Sequence, residues 1–198
     1  MKILLIAVLT AGSSSFPILE QHGRLAGADG LPSMGSDSFG AAVAFDDGVL
    51  AVGAPHHGNG ISGIHQGAVW VISLDADGTA ASYVMLADGM EMSEGGFLAL
   101  PNRSMFGSAL AWLGDLDGDG HAELAVGATE NFGMQEYAAD AFGYGSVYVL
   151  FLGAGNHLRR ISRISEGTGG FSGGLVYDST ASTRTEFGRC LAVMPDLP

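Results

Sequence analysis

The chain repeats itself, and a repeat limits architecture more than any single residue, because each unit buries its apolar face only against a neighbouring copy. Phe39-Gly40-Ala41-Ala42-Val43-Ala44-Phe45 leads to Leu50-Ala51-Val52-Gly53-Ala54-Pro55. Phe106-Gly107-Ser108-Ala109-Leu110-Ala111-Trp112 leads in the same way to Leu124-Ala125-Val126-Gly127-Ala128. A third copy opens at Phe187-Gly188-Arg189-Cys190-Leu191-Ala192-Val193-Met194. From Phe to the later Gly is 14 residues in the first copy and 21 in the second. The difference is one insertion. Each full copy is followed by a β-branched and aromatic run, Gly67 to Leu74 and then Gly145 to Leu152. Short apolar runs bounded by Gly and Asp predict antiparallel strands joined by tight turns.

The seven extra residues fall in the acidic loop Asp115-Leu116-Asp117-Gly118-Asp119-Gly120-His121-Ala122-Glu123, where the first copy has only Asp46-Asp47-Gly48 to turn its hairpin. Three carboxylates at alternate positions and a fourth four residues later repel one another unless a cation gathers them. Ca²⁺ takes about six to eight oxygen ligands, so side-chain oxygens at the first, third, fifth and ninth positions and a carbonyl at the seventh supply most of its shell. An EF-hand would need a Glu at the twelfth position and a helix on either side. That position is Val126, and the flanks Ala109 to Leu113 and Leu124 to Ala128 are too short for helices. The same hairpin is therefore expected with an ion site in the second copy and without one in the first.

The motif order resembles the FG-GAP repeat family, which includes the N-terminal domains of integrin α subunits. Phe39-Gly40 with Gly53-Ala54-Pro55 carries both halves of that pattern; the second copy keeps Phe106-Gly107 and Gly127-Ala128 but places Thr129 where the Pro belongs. The resemblance implies an all-β fold, an FG-GAP type β-propeller segment of four-stranded antiparallel blades, with repeats starting at 39, 106 and 187. It implies Ca²⁺ in an inter-strand hairpin loop, with Asp115, Asp117, Asp119 and Glu123 as side-chain ligands and His121 as a backbone-carbonyl ligand. Glu123 stands where many members carry Asp, which keeps the charge and lengthens the arm. The implied function is a noncatalytic extracellular or cell-surface module for adhesion or ligand recognition. Its partners would be an extracellular protein or carbohydrate and the remaining blades of the same propeller. The alternative is an accessory propeller of a larger secreted hydrolase.

An incomplete propeller is expected. In register, Asp196 and Leu197 fall on Asp115 and Leu116, with Pro198 in the place of Asp117. Residues 1–38 read as the end of a preceding repeat, or as a signal peptide plus lead-in. For the first, Leu9, Leu74 and Leu152 precede the next Phe-Gly by 30, 32 and 35 residues, so Ile3 to Leu9 would be a closing strand. For the second, Lys2 is a minimal basic region and Ala11-Gly12-Ser13 a small-residue cleavage site. The repeat alignment favours the strand.

Composition excludes several classes. A formal charge of −13, with Lys2 the only lysine, argues against nucleic acid and anionic membrane surfaces. No apolar run approaches the length of a membrane span. Cys190 is the only cysteine, so a disulfide framework is excluded and a core-facing thiol is expected.

Other constellations imitate chemistry. Gly58-Asn59-Gly60-Ile61-Ser62-Gly63 fits the dinucleotide pattern, but a strand follows it where pyrophosphate binding needs a helix. Gly170-Phe171-Ser172-Gly173-Gly174 fits the hydrolase elbow, yet its counterpart Gly95-Gly96-Phe97-Leu98 has no serine. A stand-alone enzyme using Ser172 and a histidine is the weakest functional reading. His56, His57 and His65 are expected as solvated loop residues. Asp75-Ala76-Asp77-Gly78 is expected as a plain hairpin, and Asn102-Arg103-Ser104 is a glycosylation sequon.

Overall fold

The computed structural model describes residues 37–58, 65–129, 144–174 and 186–193. The Ile3 to Leu9 segment, most of the 58–63 glycine loop and Asp196 lie outside them. Among the described residues eight strands form in chain order: β1 (Val43–Asp46), β2 (Val49–Ala54), β3 (Ala68–Leu74), β4 (Ala80–Ala87), β5 (Phe106–Gly114), β6 (Glu123–Ala128), β7 (Ser146–Leu152) and β8 (Leu158–Ile164). They make two four-stranded sheets in simple meander order, every neighbour antiparallel. The described residues are thus all-β and built of propeller-type blades, as the repeats require.

Register reproduces the repeat alignment residue by residue. Val52 faces Trp70 and Gly53 faces Val69 in the first blade; Val126 faces Tyr148 and Gly127 faces Val147 in the second. The faces divide accordingly. Ala51, Val69, Val71 and Leu86 on one face of the first blade pack with Leu110, Leu124, Val126, Tyr148 and Leu150 of the second, sealed by Leu98 and Leu100 from the connection and by Phe106 at the start of β5. The opposite face of the first blade holds a second cluster around Leu50, Val52, Trp70 and Ile72, against which Phe39 packs. The far face of the second blade carries a third around Ala111, Ala125 and Val147. Both faces of each sheet are therefore apolar at the centre, which explains strands that read as near-continuous hydrophobic runs.

The two halves of the repeat motif meet across blades. Phe106 bridges Gly67 in parallel and donates its N–H to the Gln66 carbonyl at 2.9 Å, so the second copy starts against the third strand of the first blade. Phe187 stands in the same relation to Gly145 and donates to the Tyr144 carbonyl at 3.1 Å. Next to each Phe, the Gly passes over the Gly of the preceding Gly-Ala. A Cβ on Gly53 would stand 2.0 Å from the Gly107 carbonyl oxygen, and one on Gly127 would stand 1.9 Å from that of Gly188. Gly107 itself has φ of +93°, a region that side chains disfavour. One Gly is required by space and the other by backbone angle as well.

Cys190 corrects an expectation. Its thiol is exposed, not core-facing. The repeat alignment sets it on Ala109, which is buried by strand pairing, whereas residues 188–193 enter no ladder among the described residues and nothing covers the side chain.

The tight passage of Gly107 over Gly53 makes a stability prediction. Gly53→Ala forces backbone apart and is expected to cost about 3 kcal/mol. Gly78→Ala, in an open turn with φ of +82° and nothing within 4 Å, should cost only about 1 kcal/mol, from backbone strain alone. Urea denaturation midpoints of both variants check this; equal costs would contradict it.

Candidate metal centre

The acidic loop is the hairpin connection between β5 and β6. Strand β5 ends with a register shift between Trp112 and Gly114, and Gly114 pairs with Glu123, the first residue of β6. Between them the chain coils around the Asp115 carboxylate. Its Oδ1 accepts N–H groups from Gly118 at 2.7 Å and Asp119 at 3.1 Å, and its Oδ2 accepts that of Gly120 at 2.9 Å. Gly118 and Gly120, at φ of +79° and +90°, turn the backbone so that these amides point inward. Asp119 Oδ1 accepts the His121 N–H at 2.8 Å and fixes the second half of the coil.

Four carboxylates result on one small volume. One oxygen each from Asp115, Asp117, Asp119 and Glu123 lie within 4.8 Å of one another. Ca–O bonds are about 2.3–2.6 Å, so opposite ligands of a single Ca²⁺ stand roughly 5 Å apart and these oxygens fit one coordination sphere. The imidazole of His121 is not in the group.

Glu123 differs from the three aspartates. Its residue is fully buried, Oε2 accepts the Leu116 N–H at 2.5 Å, and Oε1 is buried with no hydrogen-bond partner. Burying a carboxylate oxygen unpaired is costly, and a cation is the partner that the surrounding donor set could hold. Burial pushes the Glu123 pKa above the usual range, opposed by the Leu116 N–H and reinforced by the charges of Asp117, Asp119 and Asp115. Asp115 moves the other way, held down mainly by the Gly120 N–H, then by those of Gly118 and Asp119 and by His121, against a smaller loss of solvation.

Two arginines absent from the sequence reading face the loop. Arg159, on β8, reaches Asp119 Oδ2 and, at 3.3 Å, Asp117 Oδ2, while Arg160 reaches Asp117 Oδ2 at 3.1 Å. No local motif announces them, because they lie about forty residues downstream and only the second blade's meander brings them alongside.

The other residues singled out in the sequence are dispersed. Asp77 is engaged within its own turn by the N–H and hydroxyl of Thr79 at 3.0 and 2.7 Å, which lower its pKa, hydroxyl first. Asp75 joins no carboxylate group among the described residues. Ser172 is exposed in an irregular segment, and Ser104 of the sequon is buried, donating to the Gln66 carbonyl at 2.7 Å. The histidines require a correction. They are half-buried and individually held: His57 Nδ1 meets Asp37 at 2.8 Å, His56 Nδ1 meets the Ser38 hydroxyl at 2.8 Å, and His65 Nδ1 meets the His56 carbonyl at 3.0 Å. His57 also stands edge-on to Trp70, with centroids 5.4 Å apart. His56 and His57 fasten residues 37–38 to the segment after β2, and His65 ties to that same segment, a tertiary role that loop composition does not disclose.

Residues 106–150, which contain β5, the acidic loop and most of β7, match the family model of the FG-GAP repeat. No curated protein matches the chain. That stretch of the second blade is therefore similar to an FG-GAP repeat, and the first blade shares its register and motif. Among the described residues no helix is long and apolar enough to cross a membrane.

The opposite pKa shifts of Glu123 and Asp115 set the sign of a pH dependence in chelator. Glu123 holds its proton more tightly folded than unfolded, so its contribution to stability falls as pH rises through its raised pKa. Asp115 holds its proton less tightly when folded, so its contribution is present above the unfolded value and is lost as pH falls through the lowered one. Melting temperature is expected to fall from mildly acidic to neutral pH in the wild type, and Glu123→Gln should flatten that arm while leaving the strongly acidic arm. An unchanged profile in Glu123→Gln would refute the assignment.

Proposed function

We propose that this FG-GAP propeller segment is a noncatalytic recognition module whose second blade is braced by Ca²⁺, working outside the cell in adhesion or ligand binding. The observation that carries the metal reading is the buried, unpartnered Oε1 of Glu123 within a group of four gathered carboxylates. Asp115, Asp117, Asp119 and Glu123 would supply side-chain oxygens and His121 its carbonyl. Asp115 already organises the loop through three backbone amides, so most of the ordering that binding requires is present beforehand.

Ca²⁺ suits the site better than Mg²⁺. Four carboxylates with carbonyl and water oxygens make a large, irregular shell, whereas Mg²⁺ demands a compact octahedron and gives up its water reluctantly. A cation also neutralises part of the loop's charge. The extracellular assignment rests on the family resemblance and on an acidic loop of this kind being suited to calcium-rich surroundings. The ligand class, a protein or a carbohydrate, follows from the family alone. Propeller loops supply such binding surfaces because the blades hold them rigidly while their sequences vary.

Ca²⁺ titration by calorimetry, with Mg²⁺ as the control, tests the metal reading. An ion that binds only the folded chain stabilises it by about 2.7 kcal/mol at a hundredfold excess over Kd. Asp117→Ala is expected to abolish one bound Ca²⁺ per chain and the calcium-dependent rise in melting temperature; Asp75→Ala should change neither. Equal stoichiometry in wild type and Asp117→Ala would sink the assignment.

A further inference from the structure

The calcium loop has its own counter-charge. Arg159 directs one end of its guanidinium at Asp117 and Asp119 and the other at Glu94 Oε1, 2.7 Å away. Arg160 reaches Asp117 at 3.1 Å and stands 3.6 Å from Glu94 Oε2, and its guanidinium lies 3.3 Å over the Phe151 ring. Glu94 is not an incidental surface acid. It belongs to the connection between β4 and β5, and that connection is bonded to β8: the Ser93 N–H donates to the Leu158 carbonyl at 3.0 Å and the Glu94 N–H to the Arg159 carbonyl at 3.1 Å. The backbone thus fixes Glu94 beside the arginines, and the arginines beside two of the four carboxylates that would bind the ion.

Two cationic groups and a dication cannot all take the same oxygens. From this geometry we infer that Arg159 and Arg160 compete with Ca²⁺ for Asp117 and Asp119, and that Glu94, already paired with Arg159, retains it when the ion takes those carboxylates. The loop then has two ordered states: one closed by guanidinium, the other by metal. Asp117 and Asp119 are shielded in both, so removal of calcium exchanges their partners rather than leaving them bare. The inference rests on the calcium reading of the loop, and concerns how tightly the site holds its ion and what stabilises it when calcium is low.

Calorimetric Ca²⁺ titrations of wild type, Arg159→Gln, Arg159→Lys and Glu94→Gln, with melting temperatures in calcium and in EDTA, test this. Exposed ion pairs are individually weak, so Arg159→Gln should tighten calcium binding by about three- to tenfold. Arg159→Lys keeps the charge but loses the fork that spans two aspartates, and should fall between wild type and Arg159→Gln. Glu94→Gln should weaken binding, because Arg159 then has only the loop carboxylates to pair with. In EDTA Arg159→Gln should melt below wild type, and the gap should close or reverse in calcium. Equal affinity in wild type and Arg159→Gln overturns the competition, as does an Arg159→Lys indistinguishable from wild type beside a tightened Arg159→Gln, since a long-range field would then suffice. Absence of calcium binding in both wild type and Arg159→Gln overturns the calcium reading and this inference with it.

Discussion

The near-contact of Gly107 with Gly53, repeated by Gly188 with Gly127, is the constraint on which the rest depends. At these points one blade's second strand passes so close beneath the start of the next repeat that no Cβ fits between them. The approach sets the distance between sheets, and so which side chains fill the seam. With the backbones touching at one end, Ala51 and Val69 suffice on one side while Leu124, Val126 and Tyr148 fill the other. Phe106, fully buried, lies edge-on to Tyr148 with centroids 5.5 Å apart; Phe39 stands to Trp70 at the same separation. The aromatic of Phe106-Gly107 thus roots in the third strand of its own blade while its glycine touches the blade before. Local turn and inter-blade packing are specified by adjacent residues.

Because that scaffold is held at the glycine contacts and through the apolar faces, the far end of the β5–β6 hairpin is free to carry an insertion. The first blade closes β1 and β2 with Asp47 and Gly48 at positive φ. The second opens the same corner by seven residues without changing the pairing of Val126 with Tyr148 or of Leu124 with Leu150. The disturbance is absorbed at the register shift before Gly114 and at Glu123. Glu123 occupies the one position of the loop that is also a strand residue, and this is why its carboxylate is buried while the aspartates stay at the surface. The ion site is consequently attached to the core by one side chain and to solvent by three.

Repeat order, strand positions and the four-carboxylate loop were legible in the sequence because each is written locally. Phe-Gly and Gly-Ala recur at readable spacing, apolar runs are bounded by turn residues, and alternating acids are conspicuous within nine positions. What escaped depends on neighbours distant in the chain. His57 finds Asp37 twenty residues before it, Ser104 finds the carbonyl of Gln66, and Arg159 finds Asp119 forty residues earlier. Cys190 was misplaced for the converse reason: alignment with Ala109 transferred a burial that comes from a pairing partner, not from the position itself.

Those distant contacts join the acidic loop to the seam between blades. The connection after β4 leaves the first blade, bonds β8 of the second through Ser93 and Glu94, and then delivers Leu98 and Leu100 into the shared core before Phe106 begins the next repeat. Asn156, in the turn before β8, adds a side-chain bond to Ser73 of the first blade at 3.0 Å. One end of β8 is therefore held by the connection on one side and the first blade on the other, and faces the loop carboxylates through Arg159. A change in how Asp117 and Asp119 are neutralised acts on residues that also align the sheets. Carboxylates confined to a solvated turn would affect only their own hairpin. Placed against β8, they make the charge of one loop part of the packing of two blades.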